Sequence, residues 1–151
     1  MDISASIVKE LRDRTGVSVM ECKKALVEAG GDMEAALKIL GVRATAAAGK
    51  KADRALGAGT VAAYIHGTGQ VGSLVLLSCE TDFVSKNEEF IALARDIAMH
   101  AAAMKPADIA AVLAEPFIKD DSKTIAELIA AATQKFGERI EISKLDIFSV
   151  R

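Results

Sequence analysis

Apolar residues recur every three or four positions, as in amphipathic helices, over the N-terminal part of the chain, residues 1–42. Ser4, Ser18 and Asp32 each stand just before a run of apolar residues spaced three or four apart, as N-cap residues do. Ser18 and Glu21 also match the S-x-x-E pattern of a capping box, and the first two runs end at glycines. Helices this short are not stable singly, so the pattern predicts three helices packed into a compact bundle.

A second segment, residues 43–56, is rich in alanine and in basic side chains. We interpret it as a solvated helix that connects the bundle to the rest of the chain, with a simple linker as the alternative. From residue 59 the spacing changes to that of strands, and two apolar runs, TVAAYIHG and VGSLVLLSCE, are separated by a glycine-rich turn. This pattern predicts a β-hairpin.

Helical spacing returns after Ser85, which opens a second S-x-x-E pattern, and continues to Pro106. Residues 106–121 contain both prolines of the chain and are expected to be irregular. The pattern then predicts a helix over residues 123–136 and a strand over residues 139–150. The apolar residues of this strand change phase partway along it, which indicates a β-bulge.

The order of elements, a helical bundle followed by β-β-α-α-β, predicts an α+β protein. We expect an N-terminal three-helix domain at residues 1–42, a connecting helix at 43–56 and a core domain at 57–151. In the core domain, helices cover one face of a three-stranded antiparallel sheet. Its strand at residues 71–79 is apolar at nearly every position, which is typical of burial on both faces. We therefore expect two chains to stack their uncovered sheet faces in a symmetric homodimer.

Composition narrows the class of protein. At 151 residues, with 51% hydrophobic and 26% charged side chains, the chain is long enough to bury a core and is not disordered. Its formal net charge of -2 argues against dominant binding to nucleic-acid phosphates. The charged N-terminal residues and the lack of a long apolar run argue against a signal peptide and a membrane-spanning helix, so we expect a soluble, cytoplasmic protein.

Candidate chemistry is sparse. The two cysteines, Cys22 and Cys79, are too few for a disulfide framework or a structural zinc site, and the sequence indicates no metal and no cofactor. Cys79 with His66 or His100 would make a thiol nucleophile and its base, but the end of an apolar strand favours an inert buried thiol. The G-x-G-x-x-G pattern at residues 67–72 precedes a strand and not a helix, which indicates a hairpin turn and not a nucleotide site.

The most informative segment is ETDFVSKN, residues 80–87, which lies between the end of a predicted strand and a predicted helix. It places a large aromatic residue, Phe83, among polar neighbours. Phe83 either packs into the core beneath the turn or stands exposed as an aromatic anchor of the kind that dominates small interfaces. The residues alone leave both arrangements open.

Three motifs follow one another along the chain: LRDRTGVSVMECKKALVEAGGDMEAALKIL, SCETDFVSKNEEF and ELIAAATQKFGERIEI. Together they resemble the signatures of the bacterial elongation factor Ts family, and the resemblance covers nearly the whole chain. It implies an N-terminal domain similar to a ubiquitin-associated three-helix bundle. It also implies that the chain is the guanine-nucleotide exchange factor of elongation factor Tu. Such a factor is not an enzyme, because it promotes GDP release by binding and makes or breaks no covalent bond.

The resemblance also implies which residues contact elongation factor Tu. In the family, the Asp and Phe of a T-D-F-V turn reach between two helices of the partner's nucleotide domain, near its magnesium site. The end of the closing helix and the N-terminal signature helix make further contacts. Carried over to this sequence, the contact residues are Thr81, Asp82, Phe83, Val84, Phe136, Gly137, Val19, Met20 and Lys23.

The chain departs from the family in several places. It has TGVSVM at residues 15–20 where family members often have T-G-A-G-M-M, and it has one core half where longer members have two. Its segment between Pro106 and Ser122 looks short even beside compact members, which pair as dimers. Two other functions stay open as alternatives. One is a ubiquitin-associated-like adaptor without exchange activity, and the other is a small thiol enzyme that uses Cys79.

Overall fold

The N-terminal part of the fold is a bundle of three helices. A computed structural model describes residues 2–151, and the bundle consists of α1 (Ala5–Thr15), α2 (Val19–Glu28) and α3 (Met33–Lys50). The expected caps are in place, since side-chain oxygens of Ser4, Ser18 and Asp32 each accept a hydrogen bond from the backbone N–H three residues later. The capping box at Ser18 is only half formed, because the Glu21 carboxylate pairs with Lys24 and Arg43 instead.

The helix expected at residues 43–56 is not a separate element. Residues 43–50 continue α3 without a break, and residues 51–57 form a turn and an irregular approach to the sheet. Gly41 is only a weak helix breaker, and the alanines that follow it are strong helix formers, so α3 does not end there. Ala44 is 3% exposed, which shows that the second half of α3 is packed and not fully solvated.

The second part of the fold is a sheet with helices on one face. Its elements, in chain order, are β1 (Ala58–His66), β2 (Val71–Cys79), α4 (Asp82–Ser85), α5 (Glu88–Met104), α6 (Ile109–Ala114), β3 (Pro116–Phe117), β4 (Asp120–Thr124), α7 (Ile125–Phe136) and β5 (Glu141–Ser149). β1, β2 and β5 form an antiparallel sheet with β2 in the middle, so the last strand joins the predicted hairpin. The α+β class is confirmed.

β5 contains the expected β-bulge. Its register with β2 shifts between Leu76 and Leu77, and Ser143 is the extra residue on β5. Because of this shift, Ile142 and Leu145 both face the helices although they are three positions apart. The phase change seen in the sequence is therefore a real feature of the strand.

Two helix starts differ from the prediction. Asn87, and not Ser85, caps α5, with its side chain accepting the backbone N–H two residues later at 2.8 Å. Ser85 is instead buried at the C-terminal end of α4. α7 starts two residues later than predicted, because Thr124 and Glu127 form a complete capping box.

The segment expected to be irregular, residues 106–121, contains regular structure. α6 begins after an Asp108 cap, and β3 and β4 form a two-stranded hairpin. The hairpin is held to α5 by the buried ring of His100, which accepts the Ile118 N–H at Nδ1 (3.3 Å) and contacts the Glu115 carboxylate at 3.2 Å. These contacts join residues that are distant in sequence, so the local pattern did not predict them.

The three-stranded sheet has one covered and one open face. The covered face packs against α5 around buried side chains that include Val75, Leu77, Phe90, Ile97 and Ile142. The open face carries apolar side chains that remain largely exposed: Val61 66%, Ile65 65%, Leu74 45%, Phe148 73% and Val150 67%. We call these five residues the open-face patch. Apolar surface of this extent usually marks a contact with another molecule.

The bundle and the sheet have separate apolar cores, and the two parts meet at α7. The bundle core is built around Leu11, Cys22 and Leu26. α3 packs along α7, and the loop after α1 lies against the end of α7. A Cβ added at Gly16 would lie only 2.9 Å from Lys135 Cδ. The bundle is therefore seated on the core and does not hang from a free linker.

Candidate partner-binding site

The chain turns sharply where α4 follows the central strand β2 after only two residues. We call residues 80–85 the Phe83 turn. In this turn Phe83 is 90% exposed, whereas Val84 is 4% exposed and belongs to the core beneath the sheet. The arrangement with Phe83 in the core is therefore excluded. Val84 belongs to the expected contact set, but its burial makes it an anchor of the turn and not part of the surface.

The geometry of one helical turn explains why Phe83 points outward. Successive side chains on an α-helix point about 100° apart, so the burial of Val84 and Ser85 directs Asp82 and Phe83 to solvent. Ser85 Oγ donates to the Asp82 carbonyl at 3.2 Å, and the Lys86 N–H donates to the same oxygen at 3.1 Å. The turn is thus closed on itself as well as fixed to the core.

One carboxylate fixes the start of the Phe83 turn. Glu138 Oε1 accepts the backbone N–H groups of Glu80 at 3.1 Å and Thr81 at 3.0 Å, and Glu138 Oε2 accepts the Thr81 hydroxyl at 2.7 Å. The pairing of β2 with β1 ends at Cys79, and its pairing with β5 ends at Ser78. The two N–H groups therefore lie beyond the sheet, and the Glu138 carboxylate supplies the acceptor that they need.

The Glu80 carboxylate makes the reciprocal contact, from the Phe83 turn to the segment after α7. Glu80 Oε2 accepts the Arg139 backbone N–H at 2.5 Å and lies 3.5 Å from Arg54 Nη1. Arg54 also donates to the Gly137 carbonyl at 3.3 Å, and Arg139 Nη1 donates to the Arg54 carbonyl at 2.6 Å. We call Arg54, Glu80, Glu138 and Arg139 the clamp. It joins the segment before β1, the Phe83 turn and the segment after α7.

The end of α7 lies beside the Phe83 turn because of the clamp. Gly137 ends the helix with a left-handed φ of 71°, and its N–H donates to the Thr133 carbonyl at 2.9 Å. Gly137 is exposed, but Phe136 is half-buried, with its ring edge-on to Phe90 at a centroid distance of 6.3 Å. A partner can therefore reach the Gly137 backbone directly and only part of the Phe136 ring.

The three expected contact residues of the bundle lie on α2. Met20 is 67% exposed and Val19 is 52% exposed, and Lys23 is exposed one turn later. An open groove of about 400 Å³ runs between α1 and α2, lined by Ile3, Ala5, Val8, Lys9, Arg12, Val19 and Lys23. Apolar walls edged by basic side chains suit a partner surface that is apolar with acidic neighbours.

The end of α7 links the two expected contact regions. The loop that leads from α1 to Val19 lies against the Lys135 side chain, which also pairs with the Glu89 carboxylate at the start of α5. Just after Lys135, the Gly137 carbonyl accepts a hydrogen bond from Arg54 of the clamp, and Glu138 accepts one from Thr81 of the Phe83 turn. The end of α7 thus lies between the loop after α1 and the Phe83 turn.

Thiol chemistry at Cys79 finds no support in the geometry. Cys79 is fully buried and its Sγ donates to the Thr81 carbonyl at 3.3 Å. Burial, with a smaller contribution from the Glu138 carboxylate, raises the pKa of this thiol, so it stays protonated and unreactive. His66 hydrogen-bonds Tyr64, and His100 is engaged with the β3–β4 hairpin, so neither lies ready to act as its base.

Within residues 2–151, no three His, Cys, Asp or Glu side chains are placed together to hold a metal ion. None of the helices in the same range has the length and hydropathy of a bilayer-spanning segment. The glycines at 67–72 lie in the β1–β2 turn and at the start of β2, as the sequence predicted, and the element directly after them is a strand.

The clamp has almost no local signature in the sequence. Glu80 and Glu138 are 58 positions apart, so no local spacing relates them. The one local sign is that Glu138 directly follows Gly137, the glycine that ends a predicted helix, where the chain is free to turn back toward the sheet. Arg54 lies beyond the end of α3, in the part of the predicted 43–56 helix that is not helical, which also concealed its role.

The C-terminal half of the chain is similar to a known protein family. A sequence profile described as Elongation factor TS matches residues 80–151, a range that contains the Phe83 turn, α7 and β5. This range includes three of the four clamp residues, and it leaves out Arg54 and the bundle.

Curated relatives extend the similarity to the bundle. The protein named Elongation factor Ts from Desulforamulus reducens is 40% identical over 188 aligned positions, which cover 95% of this chain and 87% of the relative. The protein of the same name from Acetivibrio thermocellus is 40% identical, covering 94% and 87%. That from Thermosipho melanesiensis is 58% identical over 104 positions, covering 69% of this chain and 53% of the relative.

The alignment of 188 positions with the Desulforamulus reducens protein is longer than this chain of 151 residues, so that relative carries internal residues that this chain lacks.

Proposed function

The chain belongs to the elongation factor Ts family, and from this membership we propose that it is the guanine-nucleotide exchange factor of elongation factor Tu. Membership itself makes the chain a translation elongation factor. In the proposed activity the chain binds elongation factor Tu in the cytoplasm and promotes GDP release, with no covalent step and no cofactor of its own. Because it acts by binding, it changes the rate of nucleotide release and leaves the equilibrium between GDP and GTP forms unchanged.

The observation that carries this proposal is the exposure of Phe83. A phenyl ring that is 90% exposed contributes little to the stability of its own fold. Large aromatic side chains are among the residues that most often dominate the binding energy of an interface. Because Val84 and Glu138 hold the turn, Phe83 gives up little conformational freedom when a partner covers it.

Exchange requires that the chain bind nucleotide-free elongation factor Tu more tightly than the GDP-bound form. The family resemblance implies that Asp82 and Phe83 enter between two partner helices near the magnesium site. Insertion of the Phe83 ring displaces the groups that hold the cation and the phosphates. Without the cation, repulsion within the diphosphate is less compensated, so GDP leaves faster.

We propose that the bundle supplies a second contact. Val19, Met20 and Lys23 present apolar and basic groups on one exposed side of α2. A partner helix with an apolar stripe and acidic neighbours would bury the first two side chains and pair with the third. The exposed Gly137 backbone and the accessible part of Phe136 extend the first contact around the Phe83 turn.

We also propose that two chains pair through the open-face patch. A soluble monomer rarely leaves five neighbouring large apolar side chains this exposed. A second copy stacked face to face would bury them as the two sheets of a sandwich do, and two-fold symmetry makes the patch complementary to itself. Leu76 lies on this face, whereas Val75 is fully buried against the helices.

The division into an N-terminal bundle and a core domain at 57–151 is likewise a proposal. Its support is that each part has its own apolar cluster. Because α3 runs to Lys50, the boundary that best fits the observed elements is the turn at residues 51–57.

The proposal is tested by the release of a fluorescent GDP analogue from elongation factor Tu in excess unlabelled GDP. We expect the release rate to rise with the concentration of this chain and to saturate. Phe83→Ala, which leaves every buried contact in place, is the control for release that does not depend on the turn. A release rate that stays constant at all concentrations contradicts the proposal, and binding without faster release would favour the adaptor alternative.

A further inference from the structure

We propose that Glu138 is a positioning residue for nucleotide exchange, whose carboxylate holds the Phe83 turn in the orientation that a partner meets. This inference rests on the proposed exchange activity, and it assigns a role to a residue outside the contact set that the family resemblance implies. Glu138 need not touch the partner, since its effect passes through the backbone of residues 80 and 81.

The first argument is the number of hydrogen bonds made by one side chain. The Glu138 carboxylate accepts from two consecutive backbone N–H groups and from one hydroxyl, all within 3.1 Å. Hydrogen bonds to an ionised acceptor are stronger than those between neutral groups. Three of them on adjacent donors fix both the position and the direction of the chain as it leaves β2.

The second argument is that the contact is reciprocal. Glu138 accepts the Glu80 N–H, and the Glu80 carboxylate accepts the Arg139 N–H next to Glu138. This is the arrangement of a capping box, in which two residues satisfy each other's backbone, but here it joins segments that are far apart in the sequence. It ties the Phe83 turn to Gly137, so the two candidate contacts at this end of the molecule move as one.

The third argument concerns what else holds the turn. Val84 fixes its end in the core, and the Ser85 hydroxyl closes it locally. Its start at Thr81 is exposed and has no side-chain cap on α4. Without Glu138 the N–H groups of residues 80 and 81 lose their acceptor. The start of the turn is then held only by the Glu80 carboxylate and by the two hydrogen bonds to the Thr81 carbonyl. The fold therefore survives, and the Phe83 ring samples a wider range of directions.

This geometry predicts a specific kinetic effect of Glu138→Ala. If the free turn presents Phe83 correctly about one-tenth of the time, the concentration needed for half-maximal exchange rises about tenfold. The maximal rate of GDP release stays within about twofold, because the turn adopts the same bound geometry once engaged. Glu138→Gln keeps an oxygen acceptor for the backbone N–H groups and is expected to fall between wild type and Glu138→Ala.

The decisive experiment is a double-mutant cycle with Phe83→Ala, read out as fluorescent GDP release. If Glu138 acts through Phe83, adding Glu138→Ala to Phe83→Ala makes exchange no worse. Full additivity of the two losses would overturn the proposal, as would wild-type kinetics in Glu138→Ala. Glu88→Ala is the matched control, because it removes one exposed carboxylate that makes no hydrogen bond or ion pair in the described part of the chain.

Amide hydrogen exchange provides a readout that does not depend on the partner. In Glu138→Ala, the amides of Glu80 and Thr81 are expected to exchange at least about tenfold faster, while the amide of Val75 in the central strand is unchanged. Unchanged protection at residues 80 and 81 would overturn the proposal. If Glu138→Ala does not fold, Thr81→Val and Glu138→Gln test the same contacts with smaller changes. Failure of the wild-type chain to accelerate GDP release from elongation factor Tu would instead refute the proposed function, and amide protection would still report on the clamp.

Discussion

Two phenylalanines seven positions apart allow a matched test of which side chain contributes to the stability of the fold and which to binding of the partner. Phe83 is 90% exposed at the turn after the central strand, and Phe90 is fully buried on α5. The same substitution to alanine at each position removes the same atoms. We expect Phe83→Ala to abolish most exchange and leave stability intact, and Phe90→Ala to do the reverse.

The magnitudes follow from burial. Truncation of a buried phenylalanine costs about 3–5 kcal/mol, which lowers the melting temperature of a chain this size by roughly 6–20 °C. Phe83 buries almost nothing within the chain, so Phe83→Ala changes the free energy of unfolding by about 0.5 kcal/mol or less. In a complex, a buried phenyl ring removes about 150–250 Å² from water, an upper bound of about 4–6 kcal/mol at 25 cal/mol per Å². Ordering and desolvation reduce this to the 2–4 kcal/mol of a typical hot spot, or roughly a 30- to 1,000-fold loss of exchange efficiency.

The assay pairs thermal unfolding with fluorescent GDP release at 20 °C, where both variants are expected to be folded. Phe90→Ala should melt far lower and still promote GDP release within about threefold of wild type, because Phe83 and the clamp are unchanged and only the packing of the half-buried Phe136 ring is altered. A cooperative melt at the wild-type temperature together with a large exchange defect is the expected result for Phe83→Ala. Equal exchange by Phe83→Ala and wild type would refute the reasoning, and so would unfolding of Phe83→Ala.

Two further predictions concern assembly and domain structure. Leu74→Glu places a charge in the open-face patch, directly opposite Asp146, and we expect it to convert a dimer of twice 15.8 kDa into a monomer. Sedimentation equilibrium measures the mass, and Ala103→Glu, on the exposed surface of α5, is the control. A wild-type chain that sediments as a monomer would contradict the proposed dimer. The fragment 57–151 is expected to melt cooperatively, because it keeps its own core, and to promote GDP release more weakly, because it loses both the α2 contact and Arg54 of the clamp. Circular dichroism follows the melt, and the lack of a cooperative transition would show that α3 and α7 share one folding unit.

Local pattern predicted most of the elements because their signals are local. Ser4 and Asp32 cap helices through residues three positions away, and the alternation along β1 and the apolar run of β2 are properties of each strand alone. The bulge in β5 was also visible, since the change of phase is written in consecutive residues. Boundaries were less accurate where two cap residues competed, as with Ser85 and Asn87.

Long-range contacts account for what the sequence did not predict. The β3–β4 hairpin depends on His100, and the clamp depends on pairs such as Glu80 and Glu138, whose separation no periodicity encodes. The direction of Phe83 belongs to the same class, because it follows from the burial of Val84 against a core assembled from distant segments. The family resemblance implied an exposed Phe83, and the physical reason for the exposure is visible only in the fold.

Helix α3 belongs to the bundle and also packs along α7. The α1–α2 groove is therefore joined to the Phe83 turn by packed helices and not by a flexible linker. When one of these surfaces engages a partner, the other is already held at a set distance and angle. The second contact then forms at a high effective concentration, without the loss of chain entropy that a flexible tether would impose. In the proposed complex, two contacts that are each weak would therefore combine into tight binding, and because each can open separately, dissociation would proceed in steps.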